Sequence, residues 1–269
     1  MRLAPTLRGI ACVPLLMLFV LAPAAWGAEP PSLAQARALH NGGDYDGAIA
    51  AATVARVDPV WADTAALVSA RAQLERYRLH REPDDLIAAR ASLTSVHQTA
   101  LSPRDQVDLL VGIGQALYLG ETFEAAAALF GAALDRASVL SPVDRLRLLD
   151  WWASALDRQA LALDVDRRPE LLNRIGERMT EAIGEDPGNT VANYWLAAVA
   201  RGTGDAEGAW HAAVAGWVRA ILHPEDAPAL RADLDRLVTE GLIPERERED
   251  VEAAAALRAQ WESLKEQWR

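Results

Sequence analysis

The chain has 269 residues, 51% hydrophobic, 24% charged and 6% aromatic, with one cysteine and a formal net charge of −11. That length suits one elongated domain or two small ones, and the apolar content sets the chain apart from disordered proteins. The acidic balance excludes nonspecific nucleic-acid binding, which needs a basic footprint. About a fifth of the residues are Ala, the best helix former.

The first element is an address. Arg2 and Arg8 precede an apolar run over residues 9–23, which ends in Ala24-Ala25-Trp26-Gly27-Ala28. A positive start, a short apolar stretch and small residues at the cut predict a secretory signal peptide over residues 1–27. The run is shorter than a bilayer span, and Pro14 interrupts it. Cys12 sits too early in the run to be a lipidated cysteine. Cleavage after Gly27 removes Cys12, Arg2 and Arg8, and takes the formal charge from −11 to −13. The remainder then has no cysteine chemistry. It carries no other segment apolar enough to span a membrane, so a periplasmic or secreted protein is expected.

From residue 32 onward apolar residues recur at spacings of three and four, broken by Gly, Pro and Asp, which predicts helices and no strands. Two segments align at a 39-residue offset. Ser102-Pro103-Arg104-Asp105 leads to Leu109-Leu110 and Ala116-Leu117. Ser141-Pro142-Val143-Asp144 leads to Leu148-Leu149 and Ala155-Leu156. In each, Ser caps a helix, Pro takes its first position and Asp favours its positive end. A repeat of this period holding two helices predicts stacked helical hairpins.

The clearest unit spans residues 107–140, with Gly114 at a small crossing position and Leu117 a turn later. Phe123, Ala126, Phe130 and Ala133 follow on its second helix. Another spans residues 33–59, with Ala36, Leu39, the turn Gly43-Asp44, then Ala48, Ala52 and Ala55. A third spans residues 191–222, with Leu196-Ala197, Gly204-Asp205, Ala209 and Ala213. These residues resemble the tetratricopeptide repeat (TPR) family, whose unit is two helices with small residues where they cross. Residues 61–98 and 142–187 depart from the pattern, the first at Glu82-Pro83-Asp84-Asp85 and the second through an insertion over residues 164–169. The resemblance implies an all-α fold, a right-handed superhelix of stacked antiparallel hairpins over residues 32–224.

Residues 225–269 read as capping helices. A short helix over residues 229–240 is stopped by Gly241 and sealed by Pro244. A last helix runs from about Arg246, with Leu257, Trp261, Leu264 and Trp268 in one stripe. Solenoids need a terminal cover, and Trp210 and Trp217 are what the stripe is expected to cover. Trp152 is expected in the core, Trp151 and Trp61 at the surface.

No motif for catalysis or metal binding is present. The five His are scattered, with no pair at the spacing of a helical zinc site. There is no Gly-x-Ser-x-Gly, no Ser-x-x-Lys and no reactive Cys. Asp164-x-Asp166 lacks the Gly and the final acid of a calcium loop. No enzyme, cofactor or metal is therefore expected. The TPR resemblance implies a concave groove lined by the first helix of each unit. It places Arg37 and His40 there, then Val111, Gln115 and Tyr118, then Asp150, Ser154 and Asp157, and finally Tyr194, Ala198 and Arg201. That lining is aromatic, amide and acidic, without a basic clamp. It predicts a partner that is a protein or peptide segment with some positive charge, and a non-catalytic adaptor in the cell envelope. The alternative is a small-molecule binding accessory of an envelope solute transporter.

Overall fold

The structure is a computed structural model and describes residues 28–268, so the expected signal peptide lies outside the described residues. The described residues fold into helices with no strand. In chain order these are α1 (Pro31–Asn41), α2 (Tyr45–Ala55), α3 (Ala62–His80), α4 (Pro83–Ser95), α5 (Pro103–Leu119), α6 (Phe123–Leu134) and α7 (Pro142–Leu161). Then come α8 (Arg168–Glu185), α9 (Thr190–Gly202), α10 (Ala206–Arg219), α11 (Ala227–Arg236), α12 (Ile243–Glu247) and α13 (Val251–Gln267). None is long and apolar enough to cross a membrane.

Local chemistry sets the boundaries. Ser102 and Ser141 cap α5 and α7 in the same way: each hydroxyl accepts from the Asp three residues on at 3.1 Å and donates to that Asp's carboxylate at 2.8 Å. Asp44 and Asp205 cap α2 and α10 by accepting from Gly47 and Gly208 at 2.9 and 2.8 Å. The residues before them, Gly43 and Gly204, have φ of 82° and 84°. Only glycine takes that left-handed turn at no cost. Asn189 caps α9 through Ala192.

Each helix from α1 to α10 packs on the next in the chain, and the odd-numbered helices also meet in series: α1 with α3, α3 with α5, α5 with α7, α7 with α9, α9 with α11. Small residues make these approaches possible. Ala36, Ala48, Ala65, Ala126, Ala133, Ala197, Ala209 and Ala213 are all fully buried. At the α5–α6 crossing Gly114 faces the ring of Phe130, itself fully buried; a Cβ at Gly114 would lie 2.6 Å from that ring. Burial of such a ring contributes about 1.5–3 kcal/mol.

Polar ties run between hairpins as well. Arg37 of α1 donates to Asp105 of α5 at 2.8 Å, and Arg104 of α5 to Asp144 of α7 at 2.8 Å. The Trp195 indole of α9 donates to Asp150 of α7 at 2.9 Å, and the Trp261 indole of α13 to Asp235 of α11 at 2.8 Å. Lys265, the one lysine of the chain, joins Asp235 at 2.9 Å.

Three expectations need correction. Gly241 does not stop a helix and Pro244 does not seal it. The chain stays helical from Ala227 through Glu247, with a π-type stretch over Leu237–Leu242 between α11 and α12. Pro244 lacks an N–H and its ring crowds the preceding turn, and a widened turn accommodates both. Gly241 instead lies under the Arg201 guanidinium, where a Cβ would come within 2.8 Å. The last helix begins at Val251 rather than Arg246, because Asp250 caps it by accepting from Ala253 at 2.9 Å. Trp151 and Trp61 are half-buried, not surface residues. Trp151 packs edge-on against Tyr118 and tilted against Phe130, at ring distances of 4.9 and 5.9 Å, so large rings here fill the gaps that alanine leaves. Trp152 is buried as expected. The C-terminal stripe does meet Trp210 and Trp217: the fully buried Trp261 ring stands 5.8 and 5.2 Å from them. Trp268, its last member, is exposed.

Candidate functional site

Two cavities along the odd-numbered helices hold most of the expected groove residues. The larger, about 770 Å³, lies among α1, α3, α5 and α7 and is lined by His40, Val111, Gln115 and Asp150 of the expected groove residues. The smaller, about 590 Å³, lies among α7, α9 and the α11–α12 region and is lined by Asp157, Tyr194, Ala198 and Arg201. Arg37 lies beside the first, sharing a small neighbouring cavity with His40 and Arg71. Tyr118 and Ser154 line neither large cavity; Tyr118 is wedged between Phe123 and Trp151. The expected groove is thus two chambers. The bond from Trp195 to Asp150 joins their walls, since Asp150 lines one chamber and Trp195 the other.

The larger chamber corrects the expected electrostatics. Arg71, Arg78, Arg104 and Arg147 line it, against an equal number of carboxylates. The groove is therefore not an acidic surface without basic groups. Long arginine stems reach the chamber from helix positions beside those that the repeat pattern picks out, and no spacing rule marks them. Most of these charges are internally paired. Arg71 meets Asp108 at 3.2 Å, Arg104 meets Asp108 and Asp144, and Arg78 meets Glu75 at 2.8 Å. Arg147 makes no ion pair or side-chain hydrogen bond among the described residues.

Several buried polar groups of this chamber lack protein partners. His40 Nε2 and Arg71 Nε are fully enclosed with no hydrogen bond. The Gln115 residue is 8% exposed and its amide makes no hydrogen bond to protein. Burial lowers the His40 pKa, with the Arg71 charge adding to it, so the ring is neutral at pH 7. Its Nδ1 faces the Asn41 amide oxygen at 3.3 Å, which places the ring hydrogen there and leaves a lone pair on Nε2.

The smaller chamber is lined by four carboxylates, those of Asp157, Asp233, Glu240 and Glu245, against three arginines, Arg168, Arg201 and Arg236. Tyr194 is raised above its ordinary pKa by burial, then by the charges of Asp233, Asp157 and Asp150, which stand around it. Burial also raises Asp157, with only the Arg158 charge opposing. The Asp150 side chain keeps access to solvent, yet the concave wall raises it too. The Trp195 indole opposes that shift and Asp233 adds to it. Arg201 is held by Glu245 of α12 at 2.6 Å. With one carboxylate more than it has arginines, the lining leans slightly toward a cationic group.

Sequence reasoning passes over the arginines and His40's neighbours because it follows one helix face. The 39-residue offset does place Asp150, Ser154 and Asp157 on one side of α7, but not which chamber each enters. Among known proteins, no family model matches the chain and no curated protein matches it.

Proposed function

We propose that the chain is an exported, non-catalytic helical-repeat adaptor that binds a protein or peptide segment in the periplasm or cell envelope. In this reading the hairpins form a TPR-like right-handed superhelix, and residues 225–269 cover its last face. The serial contacts of α1, α3, α5, α7, α9 and α11 support it, because first-helix stacking is how such arrays build a continuous inner face. The observation that carries the binding role is the pair of chambers on those same helices, linked at Asp150 and Trp195. The second chamber, with one carboxylate more than it has arginines, suits a positively charged stretch of the partner.

The test is a crosslinking capture from the native envelope fraction, with the protein made as its full chain. A reproducible partner that is lost on Asp150→Lys and Asp157→Lys is the expected result. A partner retained at full yield by both reversals counts against the groove. A second reading, a small-molecule binding accessory of a solute transporter, is favoured by one observation: the Gln115 amide in the lining of the larger chamber, which no protein group answers.

A further inference from the structure

We propose that the larger chamber is a binding site for a neutral, polyhydroxylated ligand, a short oligosaccharide held among α1, α3, α5 and α7. This site does not depend on whether a protein segment also lies on the same face. The groups left without partners carry the argument. Gln115 is more than nine-tenths buried, lines the chamber and makes no hydrogen bond to protein. His40 Nε2 and Arg71 Nε lie within the chamber wall, enclosed and without partners. The Gln115 amide, by contrast, keeps accessible surface and no protein partner answers it, so it is the group free to bond a ligand in the chamber.

Their chemistry selects its class. The Gln115 amide both donates and accepts, a guanidinium such as that of Arg147 only donates, and a carboxylate such as that of Asp150 only accepts. The four arginines and four carboxylates of the lining sum to no net charge. After the internal pairs are formed, one unpaired cation and one carboxylate without a cationic partner remain, Arg147 and Asp150. A purely anionic ligand would face Asp150. A purely cationic ligand would face Arg147 and Arg71. Hydroxyl groups each donate and accept, so a row of them answers every one of these groups without a charge conflict. Guanidinium, amide and carboxylate are planar and two-pronged, and each can hold two neighbouring hydroxyls. Tyr45 and Trp151, both half-buried, also line the chamber and offer ring surface to the apolar face of a sugar. The volume of about 770 Å³ falls within the roughly 300–1,000 Å³ of small-ligand sites.

The experiment screens the purified full chain against an array of neutral hexose, hexosamine and deoxyhexose oligomers. Hits are followed by saturation-transfer NMR and titration. Succinate, spermidine and an end-blocked mixed peptide are run in parallel. The expected result is transfer to sugar ring protons, with an affinity unchanged from low salt to ~0.5 M NaCl, as for an uncharged ligand. Gln115→Leu and Arg147→Met should each weaken it about tenfold, the loss of one or two hydrogen bonds. Arg147 is exposed and touches no charged partner, so its variant stays informative if Gln115→Leu fails to fold. Two results overturn the proposal. One is salt-sensitive binding of succinate, spermidine or the peptide with no sugar bound. The other is no binding from any array member.

Discussion

Gly114 and Gly184 are both helical glycines, and the same substitution has opposite consequences at the two. At Gly114 a new Cβ would press into the Phe130 ring at 2.6 Å, and that ring is fully buried with no room to retreat. At Gly184 nothing lies within 4 Å. Alanine gains up to about 1 kcal/mol over glycine inside a helix, while overpacking costs about 1–3 kcal/mol. Urea unfolding should therefore show Gly114→Ala less stable than the parent by about 1–2 kcal/mol and Gly184→Ala more stable by up to about 1 kcal/mol. Equal signs at the two sites would refute the close approach of α5 and α6. His223 gives a pH-dependent counterpart. Its Nε2 stands 3.2 Å from Asp186, and that hydrogen bond raises its pKa above the ordinary 6.5, with lesser help from Glu225. A raised histidine contributes stability that is complete below the unfolded value and fades as pH climbs through the folded one. The melting temperature gap between the parent and His223→Gln should be widest below about pH 6 and close toward about pH 9. A gap that is constant with pH would mean the pair is not ionic. Gly114 is readable as a crossing glycine through the resemblance of its unit to the TPR pattern. The His223–Asp186 pair is not, because 37 residues separate the two and no periodicity links them.

At the scale of elements, α13 attaches to its neighbours chiefly through one side chain. Trp261 is fully buried between the rings of Trp210 and Trp217, and its indole reaches Asp235, where Lys265 also bonds. Trp268, about two turns further on, is 40% exposed. Trp261→Ala should cost about 3–5 kcal/mol, and Trp268→Ala no more than about 0.5 kcal/mol. Denaturant titration of both distinguishes a helix seated by Trp261 from one held evenly along its stripe. The stripe is legible in sequence because 3.6-residue periodicity survives translation into a helix face. The path into it is less so. Gly and Pro at 241 and 244 read as a stop, but tertiary packing overrides them. The π-type turn absorbs the proline, and the missing Cβ at Gly241 admits the Arg201 side chain. Local punctuation shows where regular winding fails, without showing whether the chain leaves the helix or widens it.

On the scale of the whole molecule, packing is local, and hydrophobic contacts form successive clusters along the chain. The first cluster joins α1, α2 and α3 through six buried residues, four of them alanines. The central one runs from Val107 to Val199 and buries Phe130, Trp152, Ile175, Met179 and Trp195. Repeat order, hairpin limits and the alanine crossings can be read from the sequence because each depends on residues within about 40 positions of one another. The binding chambers cannot, because their walls combine helices from several hairpins and depend on which way long arginine and glutamine side chains turn. Apolar burial stabilises in proportion to area, at about 25 cal/mol per Å², so an alanine-lined end holds less firmly than a centre built on large rings. Arg37 links that end to Asp105, but a partly exposed ion pair adds only about 0–1 kcal/mol. In a molecule whose helices pack mostly on their neighbours in the chain, weaker ends open before the middle. Native-state hydrogen exchange should therefore show α1 and α2 losing protection first, α5 through α9 last, and α13 in between, since Trp261 anchors it. Arg37→Ala should speed exchange in α1 and α2 and leave α7 to α9 unchanged. Uniform protection from α1 to α13 would mean the clusters unfold as one cooperative body, and the stacked-hairpin reading would then lose its main energetic support.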